Sequence, residues 1–430
     1  MDERVAVIGL GRLGFPLAVV LAHSGFKVIG IDIDPEVVEA VNARRIPEHI
    51  CEPGLQEMLD GTENLIGTTD MEAAAFAPIS IVLVGTPNDS DGAFSLAFVL
   101  TVCQSLGIQL RGRASYHTVI ISSTVLPGSC DGPIRKALEE TSGRKVGKDL
   151  GLCYCPEFVA LGDVLRGFLE PDFMLIGASD IRADLLISGF YARICLNAPP
   201  IVHSTLINAE IAKLAVNCYV GAKMTFANML AELCEQFPGA DVDVVTDAVG
   251  LDSRIGRKYL TGATAYGGLT FPMAIRSLFK VAKSVGVELP LIKIVHSENQ
   301  RQKYRLAAIV QNWRVRTGAE KIGILGLAYK PGISATEGSA GMALMELLHP
   351  PASVIAFDPA VQIEQSVASA QTCVDYSDIV VITTPWPEFK EVEFHEGQVV
   401  IDCWRMLGEA DVTDAGAKYV AIGVGTCRES

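Results

Sequence analysis

The chain has 430 residues, 49% hydrophobic and 20% charged, with 35 basic against 50 acidic side chains and a net charge of −15. That length exceeds one hydrophobic core and implies two or three globular domains, while the acidic surplus excludes nucleic-acid binding through a broad basic face. No uninterrupted apolar run reaches the length of a membrane span, and Met1-Asp-Glu-Arg4 leads straight into a strand-like run, so a cytoplasmic protein without a signal peptide is expected.

Continuous apolar runs at Val5–Ile8, Lys27–Ile31, Ile81–Gly85, Val119–Ser122 and Leu152–Cys155 predict short buried strands, with Phe173–Ile176 as one more. Their lack of alternation fits a parallel sheet covered by helices on both faces. From about Asn208 to Gln236 the sequence predicts one long helix with only Gly221 as a weak breaker, and a second helical stretch runs from Pro290 towards Trp313. Such helices form a spine and an oligomer interface, or a linker packed on its own chain; a homodimer or larger homo-oligomer is expected. At Lys321 the strand–turn–helix pattern restarts, with strands at Ser353–Phe357, Ile379–Thr383 and Val399–Asp402. The predicted fold class is α/β: two doubly wound Rossmann-like domains joined by a long helical spine, over residues 1–199, 200–315 and 316–430.

The clearest chemical signal is Gly9-Leu10-Gly11-Arg12-Leu13-Gly14, which follows one strand and opens a helix. In this context Gly9 permits the tight turn, Gly11 lets the backbone approach a pyrophosphate, and Gly14 lets helix and strand pack closely. The helix N-terminus, opening near Arg12 and Leu13, offers unpaired N–H groups to the phosphates. Asp32 ends the second strand, about 20 residues on, where a carboxylate accepts bonds from ribose hydroxyls and repels a 2′-phosphate. The expected cofactor is therefore NAD rather than NADP. The 11 cysteines, scattered without CxxC pairs, read as reduced thiols. The seven histidines form no HxxxH or HExxH pattern, so no metal site is expected.

Further motifs run in order along nearly the whole chain: Glu52-Pro-Gly-Leu55, Thr86-Pro87 with Asp91-Gly92, Ser123-Thr124-Val125, Pro156-Glu157-Phe158, Lys213-Leu214-Ala-Val-Asn217, Asp252-Ser-Arg254-Ile-Gly256, Gly267-Gly268 and Gly326-Leu-Ala-Tyr-Lys330-Pro331. Together they resemble the UDP-glucose/GDP-mannose dehydrogenase family, nucleotide-sugar 6-dehydrogenases that oxidise a sugar CH2OH to a carboxylate with two NAD. The resemblance places Thr86, Pro87 and Thr124 by the cofactor. It gives Lys213, Asn217, Glu157 and Thr124 the reacting sugar oxygen and an ordered water. Glu157, Phe158, Lys213, Asn217, Arg254, Gly267, Lys330 and Arg405 become substrate contacts, with a UDP-sugar as the expected substrate. Arg254 would reach a neighbouring subunit's site, and Lys330 and Arg405 would meet the diphosphate, a role suited to cations that neutralise phosphate. Arg405 lies in Ile401-Asp402-Cys403-Trp404-Arg405, similar to the family's DGRR-type segment with Trp404 in place of one basic residue.

The departures fall together. After the paired glycines the family reads Ser-Cys-Phe-Pro-Lys-Asp, and this chain reads Leu269-Thr270-Phe271-Pro272-Met273-Ala274. Beyond Lys330-Pro331 the family's acidic pair and Arg-Glu-Ser become Ser334-Ala335 and Glu337-Gly338-Ser339. In the family the thiolate attacks the aldehyde, the thiohemiacetal loses a second hydride to NAD, and water cleaves the resulting thioester. An alcohol at Thr270 is far less acidic than a thiol, so the covalent route reads as closed. Three functions follow from the sequence: hydride transfer from a nucleotide-sugar carbinol without the thioester step, a catalytically silent binder of both ligands, or an ordinary 6-dehydrogenase with a relocated nucleophile. Cys153 and Cys155, near Glu157, are the candidates for relocation, against the plainer reading of small buried strand residues.

Overall fold

A computed structural model describes residues 3–47, 50, 52–348 and 353–425. The chain divides into two compact units, Met1–Ala215 with Arg276–Val285, and Val216–Ile275 with Gly286–Ser430. In the first unit eight strands form one sheet: β1 (Arg4–Ile8), β2 (Lys27–Ile31), β3 (Leu65–Thr68), β4 (Ile79–Val82), β5 (His117–Ile121), β6 (Leu150–Tyr154), β7 (Met174–Ala178) and β8 (Ile201–Ser204). Their order is β3-β2-β1-β4-β5-β6-β7-β8. All neighbours are parallel except β6 and β7, which run antiparallel where a fully parallel sheet was expected. The order reverses between β1 and β4, and the carboxyl ends of those two strands frame the crevice where open α/β sheets bind ligands.

The second unit holds an all-parallel sheet of β9 (Lys321–Leu325), β10 (Ser353–Phe357), β11 (Ile379–Ile382), β12 (Val399–Asp402) and β13 (Lys418–Ala421), in the order β10-β9-β11-β12-β13. Its reversal lies between β9 and β11. Both sheets are buried on both faces at their centres; β5, β6, β11 and β12 expose none of their residues. That is why their sequences read as unbroken apolar runs.

Three strands escape the sequence reading, β3, β8 and β13. Each is the edge of its sheet and is half-exposed, so nothing requires a continuous apolar run there. The strand expected at Ile81–Gly85 sits two residues earlier, because Leu83 and the residues after it already belong to the turn over Gly9. The spine helix spans Leu206–Cys234 and passes through Gly221 unbroken. A Cβ at Gly221 would lie 3.2 Å from the Tyr266 hydroxyl, so the glycine serves a close approach rather than a break. The second long helix runs Pro290–Thr317, and a further helix spans Thr270–Ser284.

The two sheets repeat one device. Gly9 N–H donates to Ile31 O at 2.8 Å, and Gly326 N–H donates to Phe357 O at 2.8 Å. A Cβ on Gly14 would fall 1.8 Å from Gly9 O, and one on Gly341 would fall 2.1 Å from Gly326 O. In both sheets the helix after the first strand packs so close to the turn that only glycine fits.

Candidate active site

The dinucleotide turn meets its requirements in atomic detail. Gly9 has φ +96°, and a Cβ there would strike Leu83 O at 2.6 Å. Gly11 is different: a Cβ would meet nothing within 4 Å, so its backbone borders open space on the side where a pyrophosphate approaches. No side chain caps the helix Gly14–His23 at Leu13, and since Phe15 N–H is taken by Gly11 O at 3.1 Å, the N–H groups offered to an anion are those of the turn leading into the helix. Arg12 is exposed beside it. Asp32 stands immediately after β2, with Oδ2 accepting from Leu10 N–H at 2.6 Å and Oδ1 from Asp34 N–H at 2.9 Å. These bonds fix a half-buried carboxylate at the place where the ribose hydroxyls of NAD would lie.

After β4, Thr86 is half-buried and Pro87 exposed. They lead into a small hairpin in which Asn88 bridges Phe94 and Asp89 N–H donates to Ala93 O at 2.9 Å. After β5, the turn carrying Thr124 is held from both sides. The Ser123 hydroxyl donates to Val84 O at 2.7 Å, and the buried Glu210 carboxylate accepts from Gly128 N–H at 2.6 Å and Cys130 N–H at 2.7 Å.

Glu157 follows β6 and is buried, and Lys213 reaches it from the spine helix, also buried. The Lys213 ammonium donates to the Glu157 main-chain carbonyl and lies 4.7 Å from the centre of the Phe158 ring. Burial raises the Glu157 carboxyl to about 7, against the pull of the Lys213 charge. Burial likewise lowers the Lys213 ammonium to about 8, against the pull of Glu157. Glu157 Oε1 is buried with no hydrogen-bond partner, as is Asn217 Nδ2 on the same helix as Lys213. Buried polar atoms are almost always satisfied, so orphans of this kind mark places that accept a ligand or water. Cys153 and Cys155 are fully buried, and burial pushes both thiols up, which leaves them inert rather than nucleophilic.

In the second unit the paired glycines pack on the loop that follows β9. A Cβ on Gly267 would meet Tyr329 Cβ at 2.7 Å, and Gly268 N–H donates to Glu337 O at 2.7 Å. Lys330 stands in that loop, half-buried, at the β9–β11 reversal. Thr270 is exposed as the first residue of its helix, while Met273 and Ala274 are buried. Arg254 is exposed and pairs with Asp252 at 2.6 Å. The Lys223 ammonium donates to Ile255 O at 3.2 Å and Gly256 O at 3.0 Å, a support for the Arg254 loop that sequence reading missed.

Arg405 is placed otherwise than a diphosphate contact requires. Its Nε and Nη2 form a fork with Asp243 at 2.7 and 2.9 Å, and Nη1 donates to Cys403 O at 3.2 Å and Ile422 O at 2.7 Å. The guanidinium is taken up within its own unit. Sequence reading also missed Asp358, the counterpart of Asp32. Its Oδ2 accepts from Leu327 N–H at 2.7 Å, Ala328 N–H at 2.9 Å and the Trp386 indole at 3.1 Å, and Oδ1 accepts from Ala360 N–H at 2.8 Å. The signal was available: Asp358 follows a strand as Asp32 does.

Among the described residues no group of three or more His, Cys, Asp or Glu side chains could hold a metal ion, and no helix is long and apolar enough to cross a membrane. The nine described cysteines form no disulfide; Cys51 and Cys427 lie outside the described residues.

A doubly wound sheet with a glycine turn and a held carboxylate after the second strand defines a dinucleotide-binding domain, here followed in the sequence by a second nucleotide-type sheet. The NAD binding domain of the UDP-glucose/GDP-mannose dehydrogenase family matches residues 3–195, its central domain 207–301 and its UDP binding domain 323–409. The chain is similar to UDP-glucose 6-dehydrogenase AglM of Haloferax volcanii, 30% identical over 95% of this chain and 98% of that one. It is 31% identical to GDP-mannose 6-dehydrogenase of Pseudomonas aeruginosa over 80% of this chain and 78% of that one. Among solved structures, a UDP-glucose dehydrogenase from Pyrobaculum islandicum superposes with a TM-score of 0.86 at 30% identity, covering 98% of each chain. The chain belongs to the UDP-glucose/GDP-mannose dehydrogenase family of NAD-dependent nucleotide-sugar 6-dehydrogenases. It has an NAD-binding domain and a UDP-binding domain, so its ligands are NAD and a nucleotide sugar.

Proposed function

We propose that the protein oxidises a UDP-hexose at a sugar carbinol by hydride transfer, without the thioester step that a cysteine at position 270 would allow. The observation that carries this reading is the buried Glu157–Lys213 pair, with a carboxyl brought to about 7, an ammonium brought to about 8, and an unbonded carboxylate oxygen. Bound NAD supplies the hydride acceptor. The sugar hydroxyl loses its proton to Glu157, directly or through a water oriented by Thr124, while the Lys213 ammonium and the Asn217 amide hold the developing alkoxide. Lys213 and Asn217 are four apart on one helix and so share a face.

Lys330 and Arg254 are assigned to the phosphates and the sugar and Phe158 to the surroundings of Lys213, while buried Gly267, which a Cβ would drive into Tyr329, is assigned to packing the loop that carries Lys330. Arg405 is assigned to the scaffold instead, because four of its five N–H donors are engaged within its own unit. Exposed Tyr219, Phe226, Met229 and Leu233 on the spine helix support assembly into a homodimer or larger oligomer through residues 200–315. The absence of a nucleophile rests on Thr270, an alcohol at a helix start, and on Met273 and Ala274, which bring no charge to it.

The test is stoichiometry. Purified protein with NAD and a UDP-hexose is expected to form one NADH per sugar and an aldehyde or its hydrate, read by absorbance and product mass. Two NADH per sugar with a carboxylate product would overturn the single oxidation. Tight binding of both ligands with no NADH would point to the silent binder. A triple variant, Thr270→Cys, Met273→Lys and Ala274→Asp, is expected to gain carboxylate formation.

A further inference from the structure

The hairpin between Thr86 and the helix that starts at Ala97 does not stand free. It is fastened at three points to three side chains of the helix Thr270–Ser284. The Arg276 guanidinium donates through Nε to Gly92 O at 2.7 Å, and the fully buried Ser277 hydroxyl accepts from Phe94 N–H at 3.0 Å. The Lys280 ammonium lies 2.5 Å from Asp89 and 3.0 Å from Asp91. Positions 276, 277 and 280 share one face of a helix, so a single helix surface grips the hairpin.

The fit is close. Gly92 has φ +72°, and a Cβ there would sit 2.7 Å from Arg276 Nε. A side chain at 92 would therefore strain the turn and push the guanidinium off its carbonyl. The Asp89 carboxylate serves two ends at once. Oδ1 accepts from Asp91 N–H at 2.9 Å and Ala93 N–H at 3.0 Å, and Oδ2 meets the lysine. The base of the hairpin is closed by Ser95 N–H donating to Pro87 O at 2.9 Å. Whatever fixes residues 88–94 thus also fixes Pro87, and with it Thr86.

We infer that Arg276, Ser277 and Lys280 are positioning residues for the cofactor: they latch the hairpin, and through it hold Thr86 and Pro87 against NAD. The inference rests on the place beside the cofactor that the family resemblance implies for Thr86 and Pro87. None of the three side chains touches a reacting atom; they act through the loop. A sequence of apolar helix with scattered cations would ordinarily be read as a solvated face, and only the three-point contact distinguishes the latch from that. An ordered loop binds with less ordering entropy to lose, so the latch raises NAD affinity by preorganisation.

The test uses the full chain and an equilibrium measurement. NAD affinity is read by fluorescence titration for Lys280→Met, Arg276→Met, Lys280→Arg and Thr86→Val, beside nucleotide-sugar affinity and thermal midpoint. Lys280→Met is expected to raise the Kd for NAD about fivefold, the range of an exposed charged contact. Nucleotide-sugar affinity and thermal midpoint should hold, and Lys280→Arg should restore most of the loss. Hydrogen exchange at residues 88–94 should quicken in Lys280→Met. If Thr86→Val weakens NAD while neither Lys280→Met nor Arg276→Met does, the latch is overturned and the cofactor assignment stands. If none of the variants changes NAD affinity, the assignment of Thr86 fails and the latch falls with it.

Discussion

The Lys213 ammonium donates to the main-chain carbonyl of Glu157, not to its carboxylate, which stays buried with one oxygen unbonded. The two groups are thereby held near each other without neutralising each other by direct contact. Each keeps the capacity to bond a third partner, and each titrates close to neutrality.

Activity should follow a narrow bell in pH. The Glu157 carboxyl must be deprotonated to act as base, so kcat/KM should rise through about 7; the Lys213 ammonium must be charged, so it should fall through about 8. Glu157→Gln is expected to lose about 100-fold or more in kcat and to flatten the acid limb. A retained acid limb in that variant would assign the base elsewhere.

The same pair shapes stability. Between its ordinary 4.5 and about 7, the folded state keeps a proton on Glu157 that the unfolded state has released, so this group makes stability fall as pH rises across that window. Between about 8 and 10.5 the unfolded state keeps a proton that folded Lys213 has released, so stability recovers as pH rises. The pair's contribution is thus at its least favourable between about 7 and 8. Chemical denaturation of wild type and Glu157→Gln across pH 5–9 checks this, with wild type losing stability relative to the variant from pH 5 to pH 7.

Asp32 should set cofactor choice. Asp32→Asn removes the charge and keeps one acceptor oxygen, enough for Leu10 N–H or Asp34 N–H but not for both. KM for NAD is expected to rise about tenfold, the scale of a charged hydrogen bond, and the preference over NADP should shrink. Initial rates with both cofactors measure it.

Arg405→Ala should behave as a scaffold mutation. It strips Cys403 O and Ile422 O of a donor and leaves Asp243 without its fork, which costs about 3 kcal/mol of stability. In a double-mutant cycle with Asp243→Ala, the second change should cost much less than it does alone. A rise in nucleotide-sugar KM at unchanged thermal midpoint would return Arg405 to the substrate.

What the sequence made legible depended on how much burial each feature needed. β1 and β2 could be read because covered parallel strands must be continuously apolar, and the glycine turn because each glycine answers a separate steric demand. β3, β8 and β13 could not, since edge strands such as Leu65–Thr68 leave side chains such as Ile66 in solvent. Glu157 and Lys213 came from a resemblance; their shifted acidities come from burial, which one-dimensional spacing does not carry. Arg405 shows the converse. Its residue type suited a phosphate, but the fork to Asp243 joins positions 162 apart and has no local signal. The hairpin latch was hidden for the same reason, joining Phe94 to Ser277.

Asp32 and Asp358 occupy equivalent places in the two sheets, yet they differ in accessibility. Asp32 remains half-exposed, whereas Asp358 is buried and its Oδ2 is closed over by two main-chain N–H groups and the Trp386 indole. A ribose could displace none of these without leaving donors unpaired. The duplicated architecture therefore presents an accessible carboxylate after its second strand in one sheet and a closed one in the other. A calorimetric titration should saturate at one dinucleotide per chain, and copying the first sheet's glycines into the second would not create another cofactor seat.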